Sequence, residues 1–230
     1  MKNKMMKTAS CLMVAVLLTT NFVSGTYAKY VTENSGSDGA RVAKWGVKIN
    51  TKTTGLFSHS YANTDKVNGA SEGTAVSVTS IGDTNDHVVA PGTSGSTTLS
   101  LSGTPEVAVD VKFMMNVESD VIVPVRTQLS DNRTLYESYT PVKFTLTDSK
   151  GTELASGTLN DIKTVFNGLS GQYAPNKNLS ETYTITWDWP INGDNEADTY
   201  LGNVASGSII DDKTTTGIKF NYSVTVTQID

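Results

Sequence analysis

Four side chains with oxygen ligands lie close together in one short stretch of the sequence, at Asp194, Asn195, Glu196 and Asp198. Oxygens at alternate positions suit calcium, although this stretch lacks the central glycine and the distant bidentate glutamate of an EF-hand. Acidic residues at the start of a helix also accept hydrogen bonds from its free amides and interact favourably with its dipole. We therefore predict a helix cap and no metal site in this stretch, with calcium binding as the alternative.

Two tryptophans, Trp187 and Trp189, alternate with the polar residues Thr186 and Asp188. Residues two positions apart in a strand lie on the same face, so the two indole rings are expected side by side. Such a pair could stack against a carbohydrate, but large aromatic side chains on the inward face of a strand also fill a core. We predict that both rings lie in the core, with a carbohydrate-binding surface as the alternative.

The sequence offers few groups for catalysis. Its two histidines, His59 and His87, are far apart, and no His-Glu-x-x-His motif occurs. Its single cysteine, Cys11, lies in the apolar segment near the N-terminus. A Ser-His-Asp or Cys-His site therefore has little to be built from. We predict a protein that is not an enzyme, has no catalytic residues and no cofactor, and carries both histidines at its surface.

Most of the chain has the pattern of β-strands with one buried face, in which apolar and polar residues alternate. The alternation is most regular at residues 107–117, where only Met114 breaks it. A short apolar run, residues 121–125, contains Pro124 and predicts an edge strand. Further strands, which bring the number to about eight, are predicted at residues 43–49, 75–81, 97–101, 142–146, 183–189 and 218–226.

Two short segments have the spacing of helices instead. Leu159, Ile162 and Phe166 recur at intervals of three and four residues, which places them on one helix face. The second helix is predicted at about residues 197–205, with the acidic stretch at its start and Gly207 after its end. Because the helices do not alternate regularly with the strands, we predict an all-β fold, an antiparallel β-sandwich or jelly roll with two short accessory helices.

The N-terminal residues predict export. Three lysines, the last at Lys7, precede an apolar segment at residues 11–23 that is too short to span a bilayer. Thr26 and Ala28 flank Tyr27 in a small-x-small cleavage motif, so we predict cleavage between Ala28 and Lys29, with residues 23–25 as a second cleavage site.

The chain is accordingly divided into a signal peptide (residues 1–28), a flexible polar leader that is a candidate donor segment (29–41) and a β-sandwich domain (42–230). The formal net charge is −5, and it becomes about −8 once the three lysines of the signal peptide are removed. A surface that binds nucleic acid needs clustered Lys and Arg, and no such cluster occurs. We therefore expect no nucleic acid partner, and we expect no membrane span in the mature protein.

The run Gly25-Thr26-Tyr27-Ala28-Lys29-Tyr30 resembles the signature at the end of the signal peptide in TasA-like and camelysin-like proteins. These are secreted Gram-positive proteins processed by the signal peptidase SipW, and they usually have Trp and Phe where this chain has Tyr27 and Tyr30. TasA-like proteins are jelly rolls that assemble extracellular fibres of the biofilm matrix. Camelysin-like relatives have been described as metalloproteases, but no zinc motif of that type occurs in this sequence.

The resemblance also implies how copies join, because the N-terminal segment of the family is the joining strand. Carried onto this sequence, the resemblance implies a donor at roughly residues 29–38, with Tyr30 and Val31 as its apolar anchors. The implied subunit contact consists of Lys29, Tyr30, Val31 and Thr32. We therefore expect a secreted structural protein of the extracellular matrix or cell surface that self-associates into fibres by strand addition, with a signal peptidase of the SipW type as its partner during export. The alternative is a cell-surface module that binds a carbohydrate or another ligand.

Overall fold

The computed structural model describes residues 41–51, 56–61 and 77–229. The chain divides into a unit of residues 1–42 and a compact unit of residues 43–230, and the fold described below belongs to the second unit. The predicted signal peptide and the predicted donor segment lie outside the described residues.

The described residues form ten strands and two helices. The strands are β1 (Val47–Thr51), β2 (Ser60–Tyr61), β3 (Val78–Thr79), β4 (Ser94–Gly103), β5 (Val109–Ser119), β6 (Lys143–Thr147), β7 (Glu153–Gly157), β8 (Gly171–Tyr173), β9 (Leu179–Asp188) and β10 (Lys219–Gln228). The helices are α1 (Leu159–Gly168) and α2 (Asn195–Ala205).

The strands form three antiparallel sheets, as the predicted fold class requires. The large sheet has the order β1-β4-β9-β6-β7, the small sheet has the order β10-β5-β8, and β2 pairs with β3. In β4 the inward residues Thr97, Leu99 and Leu101 are buried, while the serines and threonines between them face outward. This period of two is what a sheet with one buried face needs.

The large and small sheets pack face to face as a β-sandwich. Phe113 on β5 meets Tyr183 on β9 with ring centroids 5.4 Å apart, and Phe144 on β6 meets Phe220 on β10 at 6.5 Å. Both ring pairs are close to perpendicular, an arrangement that aromatic rings favour. Helix α1 adds Phe166 to this core, with its ring centroid 5.5 Å from that of Phe113. The all-β sandwich with two short helices is therefore confirmed.

Helix α1 begins where the sequence predicts, and α2 begins at Asn195, two residues before its predicted start. Thr158 caps α1 in a capping box, in which its side chain and that of Asp161 each accept a hydrogen bond from the other residue's backbone amide. Asp194 caps α2, and Gly207 follows that helix with φ of +75°, a conformation that favours glycine. The buried residues of α1 include Leu159, Ile162 and Phe166, the apolar positions that predicted it.

Several predicted elements differ in the structure. The first strand begins at Val47 and not at residue 43, because Gly46 turns the chain with φ of +61°. Of the face predicted to be half-buried, Val47 packs against the core, whereas Trp45, which lies before the strand, and Ile49 are 42% and 39% exposed. The predicted strand at residues 75–81 is reduced, among its described residues, to Val78–Thr79.

The run at residues 121–125 is not an edge strand. It forms only isolated bridges, from Ile122 to Thr215 and from Val123 to Tyr139, and Val121 and Val123 are buried. The sequence does not predict strand β8, because its three residues are too few to show a period. Among the described residues, no helix is long and apolar enough to cross a membrane.

Candidate functional site

The acidic stretch caps helix α2. The Asp194 side chain accepts a hydrogen bond from the amide of Ala197 at 3.1 Å, and its two carboxylate oxygens accept from the Arg133 guanidinium at 2.7 and 2.8 Å. The guanidinium beside it is the largest cause that lowers the pKa of Asp194. The predicted cap is therefore confirmed, and a calcium ion would have to displace Arg133. No group of three metal-ligating side chains occurs in the described part of the chain.

Asp198, at the other end of the same stretch, fastens α2 to two other segments. Its Oδ1 accepts hydrogen bonds from the Tyr139 hydroxyl at 2.9 Å and from Trp189 Nε1 at 3.1 Å. Its Oδ2 is buried and has no hydrogen-bond partner among the described residues. Burial raises the pKa of Asp198, because the charged form is poorly solvated there. This carboxyl group joins a loop, the end of β9 and the start of α2, which is a structural role.

Trp187 in β9 and Trp189 directly after it both lie in the core, as predicted. Trp187 is 1% exposed and Trp189 is 5% exposed. Trp187 also donates from Nε1 to the carbonyl oxygen of Leu56 at 2.5 Å, so its polar atom is satisfied inside the protein. With their rings covered, neither side chain can form a stacking surface for a carbohydrate.

The two histidines differ in exposure. His87 is exposed, as expected for a surface residue, whereas His59 is half-buried. The Nδ1 atom of His59 lies 3.0 Å from the carbonyl oxygen of Asp86. The structure does not bring the two imidazoles into a cluster with acidic groups, since no such group of three exists among the described residues.

The sheet edges are the most distinctive surfaces, and one of them is covered by side chains. Strand β5 pairs with β8 only over Val109, Asp110 and Val111. Beyond β8, the amide of Phe113 donates to Ser170 Oγ at 3.0 Å, and the amide of Met115 donates to Asn167 Oδ1 at 2.6 Å. Side chains from the end of α1 and the residues after it thus replace the missing strand on this side of β5.

Strand β10, on the other side of β5, has no such cover from the part of the chain that the structure describes. It pairs with β5 along its whole length, and no other part of the described chain pairs with its backbone. About half of the amides and carbonyls of an edge strand point away from its single partner. Between residues 220 and 228 the strand has no charged residue, proline or glycine. Lys219, its only charged residue, forms an ion pair with Glu118 at 2.6 Å.

The large sheet also ends in an open strand. β1 pairs with β4 alone among the described residues, and its Lys48, Ile49 and Asn50 are exposed. At the opposite end of this sheet, β7 packs beside helix α1. Among the described residues, each of the two facing sheets therefore has an edge strand with a single pairing partner, β1 in the large sheet and β10 in the small one.

The predicted cleavage site and the predicted donor contact lie outside the described residues, so both stay predictions; their residues are Ala28, Lys29, Tyr30, Val31 and Thr32. Sequence reasoning predicted β10 as a strand but did not recognise it as an edge. The alternation of residues 218–226 predicts a strand, but no local pattern marks it as an edge, because the order of strands in a sheet depends on distant parts of the chain. No family model matches this chain, and no curated protein matches it either.

Proposed function

We propose that this protein is a secreted structural protein, a subunit of extracellular biofilm-matrix or cell-surface fibres whose copies join by strand addition. The observation that carries the proposal is that both facing sheets have an open edge strand within the described residues. A fibre subunit must join two neighbours, and two separate edges provide two places for these joints.

Strand addition suits these edges because it needs no special side chains. Backbone amides and carbonyls supply the affinity when a strand is added to an open edge. Natural proteins block long edges with charges, proline or bulges, and β10 has none of these between residues 220 and 228, where its pairing with β5 is regular. The covered edge of β5 supports the same view, since Asn167 and Ser170 shield it, while no described residue pairs with the free side of β10.

The proposed donor strand is the N-terminal segment, residues 29–38. Cleavage between Ala28 and Lys29 by a signal peptidase of the SipW type would free it outside the cell, and Tyr30 and Val31 would be its apolar anchors. This part of the proposal is supported by the sequence resemblance.

The proposal is tested by negative-stain electron microscopy of purified residues 29–230. We expect fibres from this chain and none from the variant Asn221→Lys with Thr225→Lys, which places two charges on exposed positions of β10. The matched control is Thr184→Lys with Thr186→Lys on β9, which has a strand on each side. Fibres from the β10 variant, or loss of fibres from the β9 control alone, would contradict the role of the open edge.

A second variant tests the donor segment. A chain that lacks residues 29–38 is expected to fold but to form no fibres. Equal polymerisation with and without this segment would remove its role as donor. A protein that stays monomeric at high concentration and in calcium would contradict the proposed function and favour a ligand-binding module.

A further inference from the structure

The sequence of β10 is complementary to itself when two copies of the strand run antiparallel. Residues that lie opposite each other in antiparallel strands must share one face of the sheet, so only every second register is allowed. The register that places Ser223 opposite Ser223 of a second copy obeys this rule. It pairs residues 219–227 of the two copies over nearly the full length of the strand.

On the inward face, this register joins aromatic with β-branched residues. Phe220 lies opposite Val226 of the second copy, and Tyr222 lies opposite Val224 of the second copy. Such cross-strand pairs are among the favourable ones in sheets. Within one copy, Phe220 and Tyr222 line an open cavity of about 260 Å³ together with Leu56 and Phe57, and the two valines of the second copy would lie over it.

On the outward face, the same register opposes only polar and compatible residues. Asn221 lies opposite Thr225 of the second copy, and the two Ser223 residues meet at the centre. Lys219 lies opposite Thr227 of the second copy. Within that copy, Thr227 pairs with Asp110 on β5. No like charges are brought together, although the whole chain is acidic.

We infer that β10 is a two-fold interface, at which the small sheets of two copies join edge to edge with Ser223 on the symmetry axis. The product is a continuous six-stranded sheet with the order β8-β5-β10-β10-β5-β8. This inference deepens the proposed function and rests on its premise that copies associate through sheet edges. An isologous contact of this kind closes after two copies, so a fibre needs a second joint, for which the edge of β1 remains.

Cysteine cross-linking tests the register directly, because residues 29–230 contain no cysteine. Position 223 is exposed, and Ser223→Cys is expected to give a disulfide-linked dimer on a non-reducing gel under mild oxidation. Thr225→Cys is the matched control on the same face of the same strand. In the inferred register its two copies are four residues out of step, about 13 Å apart, which is beyond the reach of a disulfide.

A mixture of Asn221→Cys and Thr225→Cys chains provides a second measurement, since these positions face each other. It is expected to give a mixed dimer that neither chain forms alone. The inference is overturned if Thr225→Cys cross-links as well as Ser223→Cys, or if both Ser223→Cys and the mixture stay monomeric.

The same cross-linking, carried out beside negative-stain electron microscopy of residues 29–230, separates this inference from the proposed function. Ser223→Cys dimers from a protein that forms no fibres would support the β10 interface and count against the fibre. Fibres without Ser223→Cys or mixed dimers would support the fibre and overturn the β10 interface.

Discussion

Replacing Asn167 by alanine tests whether the side chains of Asn167 and Ser170 take the place of a neighbouring strand at the edge of β5. Asn167 Oδ1 accepts the hydrogen bond of the Met115 amide at 2.6 Å, and its Nδ2 lies 3.5 Å from the Met115 carbonyl oxygen. The Met115 side chain is buried in the core, 3% exposed. Truncation of Asn167 therefore leaves a backbone amide without its partner beside the core.

The size of the effect follows from two opposing terms. Leaving a buried donor unsatisfied costs about 1–3 kcal/mol of folding free energy. Alanine at a helical position gains roughly 0.5 kcal/mol over asparagine, because it has the higher helix propensity. The net loss is expected to be about 1–2 kcal/mol. The uncovered edge of β5 should also make the variant more prone to aggregate, since its amides become available to another chain.

Urea unfolding of residues 29–230, followed by far-ultraviolet circular dichroism at low protein concentration, measures this loss. Thr164→Ala is the matched control, because Thr164 is exposed on the same helix and bonds only to the carbonyl oxygen of Asn160. We expect the control to change the free energy of unfolding by less than about 0.5 kcal/mol. If Asn167→Ala is no less stable than this control, the account of the covered edge is wrong.

Two further variants test the core and the buried carboxyl group. Trp187→Ala should lower the free energy of unfolding by about 3–5 kcal/mol, because it empties a fully buried position, while Tyr136→Ala, at a side chain 85% exposed, should have little effect in the same assay. Burial raises the pKa of Asp198, so the folded protein holds the carboxyl proton more tightly than the unfolded chain does. Ionisation of Asp198 therefore lowers the stability of the folded protein as pH rises above the ordinary pKa of the group. The stability of Asp198→Asn relative to the unchanged protein should therefore increase between about pH 4 and about pH 7, and a constant difference in urea unfolding over that range would count against the assignment.

The sequence predicts those parts of the fold in which a local pattern determines the structure. The alternation at residues 107–117 predicts β5 because each inward side chain is apolar, and the same residues are buried along most of the strand. The acidic residues before α2 predict its start, because Asp194 needs only a partner three residues away. These features depend on neighbours in the chain.

Features that depend on distant partners could not be predicted in this way. Asn167 and Ser170 look like ordinary polar residues at the end of a helix, but they bond to residues 52 and 57 positions away. The apolar run at residues 121–125 has the composition of an edge strand, yet Val121 and Val123 are buried under segments that follow later in the chain. The position of β10 at the edge of the small sheet depends on strand order, and strand order leaves no local pattern in the sequence.

The central claim is that copies of this protein join through the backbone of their open edge strands. Amide hydrogen exchange of residues 219–228, measured in dilute monomer and in assembled protein, tests it most directly. In the monomer about half of the β10 amides should exchange rapidly, because they have no partner, and assembly should protect them. Strand β9 already has a strand on each side and should not change. Slower exchange of β10 with unchanged exchange of β9 is the predicted result, and equal exchange of β10 in monomer and assembly would contradict the account.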